Sequence, residues 1–575
     1  MYDVVVVGGG PVGLMLACEL RLGGASVVVL ERLTEIDQTI KAGALNTPSV
    51  EALYRRGLLP AVKKAHDRTL ELMTAFMRGR APEGRERASE GRGPAADERG
   101  PASPEGQPRT TPRTTPRTTP RIPPRFAGHF AGMMLSAERL DADDPDLSSR
   151  GPAAEIGLVS QQQLEHILAV RAAELGVEVR RGVEVTGFTD DGERITVTTT
   201  GGPVHGRWLV GCDGGRSTVR RLAGFQFPGT APEITAYQAV AEMEGTERLA
   251  VGWRATPTGV YSHGPVPGRV LVARFDGAPP SRADRTTPVT AEELQDAVRH
   301  VTGADVVVKE IKTVTRFTDN ARQAATYRLG RVLLAGDAAH VHSPFGGQGL
   351  NLGLGDAVNL GWKLAAVVRG QATEELLDTY TRERHPIGAW VLDWTRAQIA
   401  LMRPDAHARA ARAVVADLIE TVTGTTYFVK KISGVWHQYD MPGAGGHPLV
   451  GRSAPDYEFE DGSRLADHLH TGRGLFVLPG GTAPDDHGPA VDGYGDRIVT
   501  VTTAIRDRHA PGALLVRPDG FVAWAQDNRA QDNRAQDSQA QDNRAQGPDG
   551  LDIEGLERAL ETWFGQPADA PTTAR

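Results

Sequence analysis

Six residues near the start of the chain have the types and spacing to bring the backbone against an anionic group. The stretch reads Gly-Gly-Gly-Pro-Val-Gly, so Gly8, Gly10 and Gly13 satisfy the pattern G-x-G-x-x-G. In this pattern the first glycine allows a tight turn, the second lets the backbone approach a pyrophosphate, and the third permits close packing of a helix on a strand. The helix expected to begin at Pro11 and Val12 offers free N–H groups and the positive end of its dipole to the phosphates.

An acidic residue follows this glycine turn at the distance that a ribose contact requires. Glu31 closes a second apolar strand, eighteen residues after Gly13. Its carboxylate can accept hydrogen bonds from both ribose hydroxyls, and it would repel a 2′-phosphate. The first block therefore favours FAD or NAD over NADP, and a glycine turn that binds nothing is the remaining interpretation.

A second block supports FAD rather than NAD. An apolar strand at 331–335 runs into Gly336 and Asp337, and a glycine-rich stretch at 344–351 then leads into a long helix that ends near residue 368. Asp337 can bind a ribityl hydroxyl at the strand end. The glycine turn and the helix N-terminus can face the flavin pyrimidine and stabilise negative charge on the reduced ring.

The elements that must position these blocks follow from the apolar pattern. Residues 3–7 are almost all valine, which is expected of a strand buried on both faces of a parallel sheet. A helix is predicted from about 12 to 22 and a second buried strand at 26–30, which completes a βαβ unit. Strand-like and helix-like segments alternate through most of the remaining chain, so the sequence predicts the α/β class.

Length and composition exclude several other classes of protein. The chain has 575 residues, enough for about three domains, and 64 basic against 72 acidic side chains give a net charge of −8. A nucleic-acid binder would need a basic face. The two cysteines, Cys18 and Cys212, cannot form a disulfide framework or a cysteine zinc site, which favours a reducing cytoplasm. No apolar run reaches about 18 residues, so a membrane span is not expected.

Two segments have low complexity. Residues 78–125 contain Arg-Thr-Thr-Pro three times in succession, and this proline spacing is incompatible with a helix or a central strand. We interpret the segment as a disordered insert. Residues 525–546 repeat Ala-Gln-Asp-Asn-Arg, whose five-residue period builds no apolar stripe on a helix, so a solvated loop is predicted there.

A third block completes the set and brings a family resemblance with it. Residues 208–217 form a strand that runs into glycine, Asp213 and Arg216. Three such blocks in this order resemble the class A FAD-dependent aromatic monooxygenases, which are p-hydroxybenzoate-hydroxylase-like. Within them the chain is similar to the aromatic-polyketide hydroxylases of actinobacteria and to rifampicin-type monooxygenases. The similarity covers 1–77, 126–524 and the C-terminal tail.

The resemblance implies a role for each matching residue. Lys41 stands where arginine is more usual in the family. Asp213 and Arg216 belong to the block that serves both FAD and NAD(P)H. The residues implied to hold the FAD pyrophosphate and adenosine ribose are Gly8, Gly10, Pro11, Val12, Gly13, Glu31, Arg32 and Lys41. Those implied for the ribityl chain and isoalloxazine are Gln161, Gly336, Asp337, Pro344, Gly347, Gly349, Leu350 and Asn351.

The resemblance also implies the domain arrangement. A Rossmann-type FAD-binding domain would comprise 1–77, 155–224 and 318–400, interleaved with a mixed-sheet substrate domain at 126–154 and 225–317. A helical connection at 401–450 would lead to a thioredoxin-like domain at 451–575, which lacks C-x-x-C and so is expected to have a structural or dimer-contact role. His129, Phe130, Met133 and Met134 are expected either in the wall of the substrate site or in the core.

The activity implied by the resemblance is hydroxylation of a polycyclic aromatic polyketide of the tetracycline, angucycline or anthracycline type. NAD(P)H, with NADPH favoured, would reduce FAD, and the reduced flavin would take up O₂ as a C4a-hydroperoxide that attacks an electron-rich phenol carbon. Three alternatives stay open: Baeyer–Villiger oxygen insertion, a hydroxylation that inactivates an antibiotic, and a non-catalytic dinucleotide-binding protein.

Some expected features concern what the chain does not supply. No catalytic base or nucleophile stands out in the sequence. His340 and His342 lack a third ligand, so no metal site is predicted. The partners expected are the small-molecule substrate and O₂, with no nucleic acid or membrane, and the protein is expected as a monomer or homodimer.

Overall fold

A computed structural model describes residues 1–79, 126–148, 151–277, 287–441, 446–478, 489–527 and 551–567. The predicted disordered insert at 78–125 needs one correction, because residues 78 and 79 form the last turn of a helix that starts at Leu59. The rest of that insert lies outside the described residues.

The predicted alternation of strands and helices holds only in part, because 178–211, 229–274 and 307–341 each contain several strands in succession with no α-helix between them. The strands are β1 (Tyr2–Val7), β2 (Val27–Glu31), β3 (Phe126–Phe130), β4 (Met133–Ser136), β5 (Glu178–Arg181), β6 (Val185–Asp190), β7 (Ile195–Thr199), β8 (Val204–Gly211), β9 (Gly229–Thr230), β10 (Thr235–Glu244), β11 (Gly252–Ala255), β12 (Gly259–His263), β13 (Arg269–Arg274), β14 (Val307–Phe317), β15 (Ala321–Gln323), β16 (Arg328–Leu329), β17 (Val332–Leu334), β18 (His340–Val341), β19 (Gly474–Val477), β20 (Ile498–Val501), β21 (Ala513–Val516) and β22 (Val522–Gln526). The helices are α1 (Pro11–Leu22), α2 (Thr47–Tyr54), α3 (Leu59–Gly79), α4 (Pro145–Ser148), α5 (Gln161–Glu174), α6 (Thr218–Leu222), α7 (Ala291–Thr302), α8 (Gly349–Val368), α9 (Glu375–Met402), α10 (Ala406–Ile419), α11 (Val422–Ser433), α12 (Pro489–Asp492) and α13 (Ile553–Phe564).

The largest sheet places the three predicted blocks at one edge. Its main path runs β16-β17-β8-β1-β2-β5, and the strands from β17 to β5 pair in parallel. Val4, Val5 and Val6 are fully buried in its middle, as the valine run predicts for a two-faced parallel strand. Val7 at the end of β1 and Leu334 at the end of β17 both pair with Gly211 at the end of β8. The loops that follow these three strands therefore start side by side.

Helices α1 and α8 pack closely on this sheet because glycines lie between them. A methyl group built on Gly361 of α8 would lie 2.3 Å from Cβ of Glu19, and one on Gly23 would lie 2.4 Å from Cβ of Ala365. Real Cβ atoms do not approach so closely, so the contact depends on both glycines. The C-terminal halves of the two helices therefore lie against each other.

A second sheet has the order β11-β12-β13-β10-β14 and is antiparallel throughout. Side chains alternate between its two faces, as in any pleated strand. Val270 and Val272 of β13 pack with Leu294 and Val298 of α7 on one face. The other face carries Leu271 and packs with Phe130, Phe345 and Trp394. Because this sheet lies in the predicted substrate domain, we name it the substrate-facing sheet.

The C-terminal residues form a unit of their own, with strand order β20-β19-β21-β22. Strands β19 and β20 are parallel, the other neighbours are antiparallel, and α13 packs on the sheet through Leu556, Leu560 and Trp563. The predicted loop at 525–546 is wrong for its first two residues, because Ala525 and Gln526 complete the ladder of β22 against β21. Residues 528–546 lie outside the described part of the chain.

Buried ion pairs attach the C-terminal unit to α8 and α9, and we name this cluster the charged junction: Lys363, Glu383, Arg517 and Asp519. The side chains of all four are at most 1% exposed. Arg517 donates to both carboxylate oxygens of Glu383, at 2.8 and 2.9 Å, and to Asp519, while Lys363 donates to Glu383 at 2.8 Å. Burial raises the pKa of Glu383, but the Arg517 and Lys363 cations outweigh that effect and lower it to about 2.

A second set of buried bonds fixes the same two units. Arg56, between α2 and α3, donates to both carboxylate oxygens of Glu19 on α1 at 2.7 Å. It also donates to the carbonyls of Leu469 and Pro518 in the C-terminal unit, at 2.9 and 2.7 Å. Arg56 therefore connects α1 to the C-terminal unit directly. None of the described helices is long and apolar enough to cross a membrane.

Candidate functional site

The first glycine block has the geometry that its pattern predicts. Gly8 has a φ of +107°, and a Cβ there would lie 2.3 Å from the carbonyl oxygen of Cys212. A Cβ on Gly13 would lie 2.0 Å from the carbonyl oxygen of Gly8, whereas one on Gly10 would meet no atom within 4 Å. The first and third glycines thus permit the fold itself, and the second leaves an open approach to the backbone at the start of α1.

Glu31 lies beside this turn. Its carboxylate accepts hydrogen bonds from the N–H groups of Gly9 at 2.6 Å and Leu33 at 2.8 Å. These bonds hold the negative charge at the end of β2, next to the open backbone. Arg32 follows it on the surface with an exposed side chain.

The third block is a helix start. The Asp213 carboxylate accepts hydrogen bonds from the Ser217 hydroxyl and from the N–H groups of Thr218 at 2.6 Å and Val219 at 3.1 Å. These bonds cap α6 and account for a structural role of this acid. The side chain of Arg216 is exposed beside it.

Arg220, which the sequence analysis did not identify, joins the third block to the second. Its guanidinium donates to the carbonyls of Ala338 at 2.9 Å and Gly215 at 2.8 Å, and it lies 3.8 Å above the centre of the Phe227 ring. The side chain is buried. It therefore fixes the distance between the loops that follow β8 and β17.

Asp356, a buried carboxylate that the sequence did not reveal, holds the glycine turn of the second block in place. Asp356 on α8 accepts from the N–H of Gly336 at 3.0 Å and from Arg384 at 2.8 Å, and its Oδ2 lies 2.7 Å from Nε2 of His340. Burial raises the pKa of Asp356, but His340 and Arg384 outweigh it and leave the pKa below its usual value. The adjacent Asp337 is exposed, and a methyl group built on Gly349 would lie 3.9 Å from its Oδ1.

The loop before α8 is tied to the loop before α2. The side chain of Asn351 accepts from the N–H of Asn46 at 2.9 Å and donates to the carbonyls of Gly347 at 2.8 Å and Ala44 at 3.3 Å. Asn351 thus holds the predicted flavin-facing turn against residues 44–46. Pro344 and Gly347 are exposed, while Gly349 and Leu350 are half-buried.

The two remaining predicted residues, Gln161 and Lys41, lie beside residues 42–46 of the loop before α2. The N–H of Gln161, at the start of α5, donates to the carbonyl of Ala42 at 2.9 Å. Lys41 pairs with Asp37 at 2.8 Å and points outward. Gln161 and Lys41 therefore flank residues 42–46 on either side.

Val12 marks the point at which the first two blocks meet. A methyl group built on Gly336 would lie 3.1 Å from a Cγ of Val12, and one built on Gly353 would lie 2.7 Å from it. The N-terminal ends of α1 and α8 therefore converge, and each carries partial positive charge. Such a pair of helix starts suits a ligand with anionic or electron-rich groups at two places.

An aromatic cluster covers this end of the molecule. Phe345, in the loop before α8, makes edge contacts with Trp253 and Phe317 of the substrate-facing sheet, with ring centres 5.8 and 5.9 Å apart. Phe130 contacts Trp394 of α9 and Phe428 of α11 at 4.5 and 4.6 Å. An apolar aromatic ligand could pack against the part of this cluster that stays exposed.

The residues proposed for the apolar wall divide into two groups. Phe130 is buried in this cluster, and His129 contacts Trp253 at 4.8 Å, where burial lowers the pKa of its imidazole to about 4. Met133 packs partly buried against the same cluster. Met134 is 51% exposed, so its expected place in a wall or core is wrong, because alternate residues of β4 face opposite sides.

The polar groups at this site suit those of FAD. The backbone at Gly10 is open, the carboxylates of Glu31 and Asp337 lie at two strand ends, and two helix starts converge between them. Among the described residues, buried Nε2 of His342 and Oγ of Ser343 have no hydrogen-bond partner. Both precede the turn at 344–351, where a polar ring would supply partners. No group of three metal-ligating side chains occurs in the part of the chain that the structure describes.

Comparison with known proteins identifies the family. A family model for the FAD binding domain matches residues 1–395, and one for the C-terminal part of aromatic-ring hydroxylases matches residues 447–567. The chain therefore belongs to the FAD-binding aromatic-ring hydroxylases, and the resemblance inferred from the three blocks is confirmed.

Individual relatives are similar along nearly their whole length. The chain is 38% identical over 591 residues to the 12-dehydrotetracycline 5-monooxygenase/anhydrotetracycline 6-monooxygenase of Streptomyces rimosus subsp. rimosus, and the match covers 99% of both chains. It is 38% identical over 537 residues to a rifampicin monooxygenase of Streptomyces venezuelae, covering 92% of this chain and 96% of that protein. The solved structure of OxyS anhydrotetracycline hydroxylase from Streptomyces rimosus superposes with a TM-score of 0.74 at 35% identity, covering 99% of this chain and 100% of OxyS.

The two missed residues differ in the signal that the sequence offers. Asp356 is a lone carboxylate in the otherwise apolar start of α8, and a charge in that context indicates a buried partner. Arg220 follows Arg216 and precedes Arg221 in a short helix, so nothing in the pattern separates it from its exposed neighbours.

Proposed function

We propose that the protein is an FAD-dependent monooxygenase that hydroxylates a polycyclic aromatic polyketide, with electrons from NADPH rather than NADH and oxygen from O₂. The observation that carries the proposal is that three cofactor-type blocks meet at one sheet edge directly beneath an aromatic cluster. The relatives named for tetracycline and rifampicin oxidation support the substrate class.

In this proposal the chain's own residues hold the cofactor by its polar groups. The open N–H groups at Gly10 would bind the pyrophosphate, and Glu31 the adenosine ribose. Asp337 would bind the ribityl chain, and the start of α8 would face the pyrimidine ring. When bound, FAD supplies the redox and oxygen chemistry. The bonds of Asp356 to Gly336 and of Asn351 to Gly347 would fix the two turns that orient the ring.

The aromatic cluster would bind the substrate and exclude water. Phe345 and Phe130 are buried in this cluster, whereas Trp253 and Phe317 are half-buried and keep part of their rings exposed. A polycyclic substrate that packs on this exposed surface would lose its hydration there, and a site without water protects reactive intermediates from side reactions. A flat aromatic substrate therefore suits the cluster better than an aliphatic one.

One specific alternative deserves the same test. The identity to the rifampicin monooxygenase equals that to the anhydrotetracycline enzyme, so inactivation of an antibiotic is a second candidate. Baeyer–Villiger insertion on a related polyketide uses the same cofactor, but it would place the oxygen atom in a C–C bond beside a carbonyl instead of at an aromatic C–H.

The domain arrangement is part of the proposal. We assign 1–77, 155–224 and 318–400 to a Rossmann-type FAD domain, although α9 runs two residues past that last boundary, to Met402. The strand order and directions of β19 to β22, followed by α13, support a thioredoxin-like unit at 451–575. That unit has no C-x-x-C, so we assign it a structural or dimer-contact role. The two cysteines of the chain lie far apart in sequence and suit a reducing compartment, so we propose the cytoplasm as the location.

The test measures NADPH oxidation and product mass with purified protein. We expect a yellow protein whose NADPH oxidation rises with a tetracycline, an angucycline, an anthracycline or a rifamycin, and a product that gains one oxygen atom from labelled O₂. Product structure then separates hydroxylation from ring expansion. A protein that stays colourless with added FAD would contradict the enzyme assignment. A yellow protein that no polycyclic phenol stimulates would contradict only the substrate class.

A further inference from the structure

An arginine on the substrate-facing sheet has no ion-pair or hydrogen-bond partner for its side chain among the described residues. Arg269 is the first residue of β13, and its neighbour across the ladder is Val240 of β10. Leu271, two residues along the strand, belongs to the aromatic cluster, so Arg269 projects from the same face of the sheet. The side chain is half-buried.

Side-chain contacts show what this face of the sheet lies against. Gln238 of β10 donates to the carbonyl of Lys41 at 3.5 Å, and Thr315 of β14 donates to the carbonyl of Ile40 at 3.2 Å. A methyl group built on Gly43 would lie 3.8 Å from Nη1 and 4.0 Å from Nη2 of Arg269. The guanidinium therefore lies against the loop that Asn351 ties to the predicted flavin-facing turn.

The guanidinium has no counter-charge among the described residues. Within that part of the chain, none of the carboxylates or carbonyls lies within ion-pair or hydrogen-bond distance of it, and no aromatic ring stacks on it. Burial lowers the pKa of the Arg269 guanidinium from its ordinary value. By contrast, Arg384 and Arg517, which are more deeply buried, are each paired with a carboxylate. A partly desolvated cation without a partner is costly to the fold, which suggests that a ligand supplies the anion.

The surroundings restrict the kind of anion. Leu271 lies beside Arg269 on the same sheet face, and Trp253 lies on that face two strands away, so a ligand of several fused rings can reach the guanidinium and the apolar surface together. A small hydrated anion would gain nothing from these rings. A planar molecule with an ionised oxygen at one edge matches both features, and the guanidinium fork can bind two neighbouring oxygens in one plane.

We propose that Arg269 binds an ionised oxygen of the substrate, either a phenolate or the two oxygens of an enolised 1,3-dicarbonyl, and thereby selects acidic polycyclic phenols over neutral ones. This inference rests on the proposed function and names the substrate feature that the same site recognises. Arg269 is a specificity-determining residue in this assignment, and it takes no part in electron or oxygen transfer.

The test compares two probes on the oxidised holoenzyme, without turnover. The probes are anhydrotetracycline and a derivative whose acidic enol is O-methylated, and equilibrium dialysis gives the Kd of each. We expect the wild type to bind the acidic probe at least about ten-fold more tightly than the methylated one. Arg269→Gln should weaken the acidic probe by roughly 10- to 100-fold, as expected for a lost charged hydrogen bond, and the methylated probe by less than about three-fold.

A matched control comes from the same strand. Arg274, at the other end of β13, faces the opposite side of the sheet, where it pairs with Asp276. Arg274→Gln should leave both Kd values within about two-fold of wild type, and Arg269→Lys should restore part of the preference because it keeps the charge but not the fork. The Kd for FAD, measured on the apoenzyme, should be the same for Arg269→Gln and wild type.

Each contrary outcome has one meaning. Equal weakening of both probes by Arg269→Gln, or no weakening of either, would overturn the role of Arg269. A weaker FAD affinity with an unchanged probe preference would assign the guanidinium to the cofactor and would also overturn it. A wild-type enzyme that binds both probes equally contradicts this inference alone, whereas one that binds neither, and whose NADPH oxidation no polycyclic phenol of the panel stimulates, contradicts the proposed substrate class.

Discussion

The charged junction and the substrate-facing sheet each remove an arginine from solvent, fully for Arg517 and partly for Arg269, but only Arg517 has partners within the described chain. At the junction Arg517 makes two bonds to Glu383, further bonds to Asp519, and a ring contact with Trp563 at 4.3 Å. On the sheet, Arg269 has neither a carboxylate nor a ring among the described residues. One region satisfies its charges within the chain, and the other leaves the Arg269 guanidinium without a counter-charge among the described residues.

The difference teaches how to separate structural charges from functional ones in this molecule. Desolvation of an ion costs several kcal/mol, so a fold tolerates it when partners offset the cost or when a ligand does. The junction offsets the cost internally and gains a fixed attachment of the C-terminal unit. The sheet accepts the cost, which is consistent with selection for binding rather than for stability.

Breaking the junction should have the largest effect. Arg517→Met leaves Glu383 with Lys363 and the amide of Asn359 and removes the cation beside Asp519, so we expect the free energy of unfolding to fall by about 3–5 kcal/mol. Urea denaturation followed by circular dichroism measures it. Arg506→Met, which removes an exposed partner of Glu458 in the same unit, should cost less than about 1 kcal/mol. Similar losses in the two variants would contradict a special role for the junction.

Acid should weaken the junction without any substitution. The pKa of Glu383 is about 2 in the folded chain against an ordinary value of 4.5, so its contribution is complete above about 4.5 and disappears as pH falls towards 2. This contribution amounts to roughly 3 kcal/mol. Unfolding by urea at a series of pH values should therefore give a steeper decline below about pH 4.5 for the wild type than for Glu383→Gln. Parallel curves would show that Glu383 is not the group that titrates.

The sheet edge between the two regions offers a test of the cofactor assignment. Asp337→Ala should weaken FAD binding by roughly 10- to 100-fold, because the exposed carboxylate is proposed to bind the ribityl chain. Flavin content after gel filtration and the Kd of the apoenzyme for FAD measure the effect. Asp378→Ala, at an exposed partner of Arg328, serves as the control. Full flavin retention by the Asp337 variant would mean that the second block has been misplaced.

The smallest effect on the free energy of unfolding is expected for Arg269→Met, the counterpart of Arg517→Met on the sheet. Arg269→Met removes a cation without orphaning a carboxylate, so the free energy of unfolding should stay unchanged or rise by up to about 1 kcal/mol. Thermal unfolding of the substrate-free holoenzyme measures it. A loss beyond about 2 kcal/mol would reveal a partner within the chain and remove the distinction between the two regions.

The sequence predicts the cofactor edge well because its signals are local. Gly8, Gly13 and Glu31 lie within one βαβ unit, and parallel pairing then places the ends of β1, β8 and β17 together. The first and last helices that the sequence predicts, α1 and α13, begin and end within one residue of their expected positions. The roles of the individual site residues stay predictions.

The charges that distinguish the two regions could not be predicted in the same way. Glu383 and Arg517 are 134 residues apart, and only the packing of α9 on the C-terminal sheet joins them. Arg269 follows Pro-Gly and opens a strand of alternating pattern, where an exposed arginine would look the same. Whether a charge is paired depends on tertiary contacts, and composition and periodicity carry no information about these.

The bonds of Arg56 have a mechanical consequence. This one side chain connects α1 to two carbonyls of the C-terminal unit, and Glu19, its partner, also lies against Gly361 of α8. Opening a gap between these parts would break a buried ion pair and two hydrogen bonds at once. We therefore expect α1, α8 and the C-terminal unit to move as one rigid body when a bulky substrate enters.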